Sequence, residues 1–173
     1  MCGRLTLTRD EPSDDQLLAR LAFAKGITGR PTPMHHIPLV TGPASCVIAR
    51  WGWPSSRGCI LTHARIETAS TLPTWREAWS LHRGVIPVDG WEEGSWVVTS
   101  AGAHIAVLWT VDSADVRFAV LTQPPPPNQH IERFPVPLTQ AGAIGWLAGG
   151  LADDQVDDLH VAGTGGQQTI FDQ

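Results

Sequence analysis

Residues 96–122 read Trp-Val-Val-Thr-Ser-Ala-Gly-Ala-His-Ile-Ala-Val-Leu-Trp-Thr-Val-Asp-Ser-Ala-Asp-Val-Arg-Phe-Ala-Val-Leu-Thr. β-Branched and aromatic residues dominate this stretch, and they fit a pleated, half-buried surface. Trp96–Thr99 and His104–Thr110 flank Ser100-Ala101-Gly102-Ala103, which predicts a hairpin. A polar turn at Asp112–Asp115 then leads into a further strand, Arg117–Thr122. The run Pro124–Pro127 must leave the sheet, because proline cannot donate to a ladder. Upstream, Cys46–Trp51 and Val85–Val88 are short apolar runs that also read as strands.

Helices are few. Ser13-Asp14-Asp15-Gln16 reads as a capping box ahead of Leu17, Leu18, Leu21 and Ala22, with Gly26 as the stop. Thr74-Trp75-Arg76-Glu77 is a second box, opening a short helix with Ala78 and Trp79. Gln140–Ala148 predicts a third, weakened by Gly142 and Gly145. Short antiparallel strands with a few helices imply an α+β class: a compact, β-rich single domain with a barrel-like core. The expected domain spans residues 1–162, with residues 163–173 as a flexible tail.

The chain has 173 residues, 42% of them hydrophobic and 17% charged, which excludes a disordered protein. No apolar run approaches the roughly 18 residues of a membrane span, so the expected location is cytoplasmic. The net charge of −5 argues against a general electrostatic binder of nucleic acid. That charge is uneven, at +1 over residues 1–100 and −6 over the remainder. Any anion-binding surface therefore draws on arginines of the first half, with Arg133 as a late contributor.

The three cysteines lack the spacing of a disulfide framework or a zinc site. Cys46 and Cys59 sit in apolar surroundings and read as core thiols. Cys2 differs by position. Without the initiator Met it carries an α-amine beside its thiol, a 1,2-aminothiol able to condense with an aldehyde and close a thiazolidine ring. An α-amine pKa near ~8 leaves a useful neutral, nucleophilic fraction at pH 7.

Five segments follow in order: Met1-Cys2-Gly3-Arg4; Thr62-His63-Ala64-Arg65-Ile66-Glu67-Thr68; Arg83-Gly84-Val85-Ile86-Pro87-Val88-Asp89-Gly90-Trp91-Glu92-Glu93; Ile105-Ala106-Val107-Leu108-Trp109; and Ile131-Glu132-Arg133-Phe134-Pro135-Val136. Together they resemble the SOS-response-associated peptidase family, as does Arg50-Trp51-Gly52-Trp53-Pro54. The resemblance implies a β-rich α+β domain with a positively charged groove. It implies binding of single-stranded DNA and a covalent thiazolidine link to abasic sites, with associated autoproteolytic peptidase and lyase activity in the DNA damage response.

Carried over residue by residue, the resemblance makes Cys2 the nucleophile and Glu93 the proton-transfer group. Arg4, Arg65 and Arg133 become phosphate contacts, and Trp51 and Trp53 candidate stacking surfaces for bases. The sequence also departs from the family pattern. His63 replaces an asparagine and is counted as a catalytic candidate. Ile131 replaces a late histidine, and its neighbour His130 is the candidate substitute. Glu92-Glu93-Gly94 replaces Tyr-Glu-Trp and adds a second carboxylate. No metal, cofactor or membrane is expected, and the chain is expected to act as a monomer. Two alternatives stay open: a degenerate member that binds DNA or a partner without covalent chemistry, and a cysteine-dependent hydrolase using Cys2, a histidine and Glu93.

Overall fold

The computed structural model describes residues 2–8, 10–93, 96–125, 132–149 and 168–170, and for residues 2, 93, 96–102 and 168–170 it describes the backbone alone. In chain order the elements are β1 (Cys2–Leu7), α1 (Leu17–Phe23), β2 (His36–Gly42), β3 (Ser45–Trp51), β4 (Trp53–Pro54), β5 (Ile60–Leu61), β6 (His63–Arg65) and α2 (Ile66–Ala69). They continue with α3 (Arg76–Leu81), β7 (Arg83–Glu93), β8 (Trp96–Asp112), β9 (Asp115–Gln123), β10 (Phe134–Pro135), β11 (Pro137–Leu138), α4 (Gln140–Leu147) and β12 (Gln168–Ile170).

Five strands close on themselves in the order β7, β2, β3, β9, β8 and back to β7. Closure removes the free edges that an open sheet would expose. The pairings are antiparallel except between β3 and β9, where Arg50 aligns with Arg117 and Trp51 with Phe118 in parallel. The sequence-level expectation of a β-rich α+β domain with a barrel-like core holds.

Strand periodicity sorts the core into two layers. Ile86 and Val88 on β7, Ile105 and Val107 on β8, and Phe118 and Val120 on β9 pack with Leu39, Trp51, Leu5 and Leu7 in one cluster, the barrel interior. The alternate residues Val85, Ala106, Leu108, Ala119 and Leu121 pack in the other, under Leu18, Ile66, Trp79 and Trp146 of the four helices. The abundance of tryptophan belongs largely to this core. Trp79 and Trp146 sandwich the buried Arg83 guanidinium, at 5.0 and 4.4 Å from its carbon. Arg83 Nε also donates to Trp79 O at 2.6 Å. A desolvated cation between two aromatic faces gains about 2 kcal/mol or more from the ring quadrupoles.

Two local expectations change. The predicted hairpin at Ser100–Ala103 does not form, because β8 runs unbroken through it. The pairing shows why: Val88 aligns with Ala103 and Gly90 with Thr99, so three residues of β8 stand opposite Asp89 alone. Small residues serve a bulge as well as a turn. The hairpin instead joins β7 to β8, with Glu93 aligned to Trp96. The capping boxes also differ from expectation. Ser13 N donates to Gln16 Oε1 at 3.1 Å in a turn ahead of α1, and neither α1 nor α3 has a capping side chain. The helix at Gln140 is capped instead by Thr139, whose hydroxyl accepts from Gly142 N at 3.1 Å. Near the C-terminus, β12 pairs Gln168–Ile170 with Val98–Trp96 of β8. Residues 163–167 and 171–173 lie outside the described residues.

Candidate functional site

β1 is held on the outside of β7 by its apolar residues. Leu5, fully buried, aligns with Trp91, and Leu7 aligns with Val88. Trp91 in turn packs edge-on against Phe134, with ring centroids 5.3 Å apart. Burying a leucine contributes roughly 1.5–3 kcal/mol toward holding the strand in place. The register shifts once between Cys2 and Arg4, so Arg4 aligns with Glu92 and Cys2 with Glu93. Antiparallel partners sit about 5 Å apart at Cα. The nucleophile candidate and the proton-transfer candidate, 91 positions apart in sequence, are thus neighbours in the sheet.

Glu92 has its own partners. Its Oε2 lies 3.4 Å from Arg4 Nη1, and its Oε1 pairs with Arg30 Nη2. Arg30 was not singled out from sequence. It reaches this site because residues 29–31 run along β1, with Leu5 N donating to Pro31 O and Leu7 N to Gly29 O, each at 3.0 Å. Gly29 takes φ +111, a conformation open to glycine and costly for other residues. Gly29-Arg30-Pro31 signals a turn, and nothing in it signals the return to β1.

The second arginine group lies on β6 and beyond β9. β6 pairs with β9 in parallel, aligning His63 with Val120 and Arg65 with Thr122. Arg65 is exposed at the start of α2, free of the core. Arg133 is committed to the protein. It donates to both carboxylate oxygens of Glu67, at 2.7 and 2.6 Å, and to Thr122 O at 2.8 Å. Its Nε is buried without a hydrogen-bond partner. The Arg133 guanidinium holds the Glu67 carboxyl below its usual range, against a smaller opposing effect of burial. Three of the five guanidinium N–H donors are thus spent within the protein, and only 13% of the Arg133 side chain is exposed. His63 Nδ1 lies 2.8 Å from Thr62 Oγ1, and its ring meets Trp51 edge-on at 5.9 Å. His63 sits on β6, whereas Cys2 and Glu93 sit on β1 and β7. His130 lies outside the described residues.

The tryptophans depart from their expected role as stacking surfaces. Trp51 is fully buried, lies against Phe118 at 6.1 Å, and donates from Nε1 to Thr62 O at 2.9 Å. Trp53 is 8% exposed and packs against Trp75 at 4.8 Å. Neither ring presents a face to a base. The signal that misled was residue type alone, since Arg-Trp-Gly-Trp-Pro carries the rings but not their direction.

One buried titratable group was not foreseen. His104 is 1% exposed, on β8 between Pro87 and Leu138. Burial pushes its imidazole down to about 4, against a smaller opposing effect of the Leu138 backbone. Among the described residues, no group of three or more His, Cys, Asp or Glu could hold a metal ion. No helix among them is long and apolar enough to cross a membrane.

Solved structures share this architecture. A Bordetella bronchiseptica protein superposes with a TM-score of 0.75 at 19% identity, covering 99% of this chain and all of that one. A phage-related protein from Bordetella bronchiseptica gives a TM-score of 0.72 at 17% identity, over 99% of this chain and 95% of that one. A Bacteroides thetaiotaomicron protein gives 0.69 at 17% identity, over 91% of this chain and 86% of that one. At such identities the likeness shows the fold alone. No curated protein matches the chain. The family model for SOS response associated peptidases, however, matches residues 1–168, nearly the whole chain, and the protein belongs to that family.

Proposed function

We propose that this protein binds single-stranded DNA and links covalently to abasic sites through Cys2. The observation that carries the reading is the alignment of Cys2 with Glu93 across β1 and β7. Arg4, in the same short strand, and the exposed Arg65 supply guanidinium groups suited to phosphate.

The chemistry requires a free α-amine on Cys2, hence removal of Met1. The neutral amine adds to the sugar aldehyde, and loss of one water gives an imine. The Cys2 thiol then adds across the carbon–nitrogen double bond. Its sulfur joins the former aldehyde carbon, its proton ends on the nitrogen, and the ring closes. No electrons are lost or gained. Glu93 is assigned the proton transfers of dehydration and closure, work that commonly gives 10²–10⁴-fold in rate. Any peptidase activity uses the same thiol, acting on the bond ahead of Cys2.

Ile131 stands where the family resemblance implies a histidine, and Glu92 brings a second carboxylate beside the site. Both features favour a slow, weakly binding member. Incubating Met1-free protein with an abasic oligonucleotide tests the reading. A denaturant-resistant adduct absent from Cys2→Ala supports it, and binding that is equal in both proteins with no adduct assigns the chain to non-covalent recognition.

A further inference from the structure

Glu92 is mostly covered, with 19% of its side chain exposed, while Arg4 and Arg30 on either side are 42% and 46% exposed. Each arginine takes a different oxygen of the one carboxylate. Two guanidinium groups thus face one carboxylate. Both arginines are also held by the backbone. Arg4 is within β1, and Arg30 is in the strap 29–31 that bonds to β1 through Leu5 and Leu7.

We infer that Glu92 is an internal stand-in for a backbone phosphate, and that Arg4 and Arg30 form a phosphodiester subsite beside Cys2. The inference rests on the DNA reading above and adds Arg30 and the gating carboxylate to it. A carboxylate and a phosphodiester each offer two equivalent oxygens sharing one negative charge. A phosphodiester can therefore take the place of Glu92 against guanidinium groups that are already positioned. Until then the carboxylate competes, lowering affinity for undamaged strands and shielding the charge that would attract them. Glu92 is a positioning residue, acting through its two arginines.

Fluorescence anisotropy with a labelled oligothymidylate across a salt series tests this. Glu92→Gln should bind about tenfold tighter at low salt. Its log–log salt slope should steepen by about 0.7, the increment for one more phosphate neutralised on a single strand. Arg30→Gln in the Glu92→Gln background should remove both gains. Affinity and slope unchanged or lower in Glu92→Gln would overturn the inference while leaving the DNA reading standing, provided wild type binds. Should no variant bind the strand, thermal melting with inorganic phosphate decides. A larger phosphate-dependent rise in Glu92→Gln than in the double variant supports the subsite and sinks the DNA reading; no difference overturns the subsite. Should Glu92→Gln fail to fold, Arg30→Gln alone carries the test, since a shallower salt slope supports the inference and an unchanged one overturns it.

Discussion

Cys2 and Glu93 are register partners across β1 and β7, two residues beyond Arg4 on β1 and one beyond its partner Glu92 on β7. Sheet geometry, not sequence proximity, makes Cys2 and Glu93 backbone neighbours. This placement depends on Leu5 and Leu7, which anchor β1 in the barrel interior.

Glu93→Gln should keep the fold and slow adduct formation by roughly 10²–10³-fold, because the amide cannot exchange the proton. Single-turnover gel assays measure the rate. An unchanged rate would remove Glu93 from the proton-transfer role.

Arg133 and Glu67 tie α2 to the end of β9. Arg133→Lys keeps the charge but loses the fork, and should cost about 1 kcal/mol, reduced from a buried-pair value because Glu67 is 42% exposed. Urea denaturation reads this. In Arg133→Gln, which removes the charge, the salt slope of DNA binding should stay at the wild-type value; a shallower slope in folded protein would return Arg133 to the phosphate contacts.

Trp51 fills the barrel, so Trp51→Ala should cost about 3–5 kcal/mol or abolish folding. Trp53→Phe should lower the urea midpoint and leave DNA affinity unchanged. A loss of affinity in folded Trp53→Phe would restore a stacking role.

Stability should fall as the medium is acidified. The folded-state pKa of His104 is depressed to about 4 from 6.5. The unfolded chain then takes up a proton that the folded one refuses, and stability drops between those values by up to about 1.4 kcal/mol per pH unit. Glu67 acts at lower pH, since its depressed pKa gives stability that is lost as pH falls below its ordinary value of 4.5. Urea midpoints at pH 7 and pH 5 check this, and His104→Gln should flatten the difference.

The outline of the fold was legible in residues 46–51, 85–88 and 104–122, where apolar periodicity is strong. Closure of the barrel was not, because the parallel pairing of β3 with β9 joins segments that carry no local sign of each other. The bulge opposite Asp89 resembled a turn for the same reason, since Ser-Ala-Gly-Ala fits both. Cys2, Glu93 and Arg4 of the proposed site are named by motif position alone. Arg30, and the core residue His104 away from that site, carry no such signal, because the surroundings of each are tertiary: the Glu92 carboxylate for one, burial between Pro87 and Leu138 for the other.

Under the proposed function Cys2 reacts as a joined amine and thiol. The most direct test is intact mass spectrometry of Met1-free protein after incubation with an abasic oligonucleotide. A covalent species equal to protein plus oligonucleotide minus one water should form, absent from Cys2→Ala and from protein retaining Met1. Fully processed protein that binds the strand and yields no such species would contradict the proposed function.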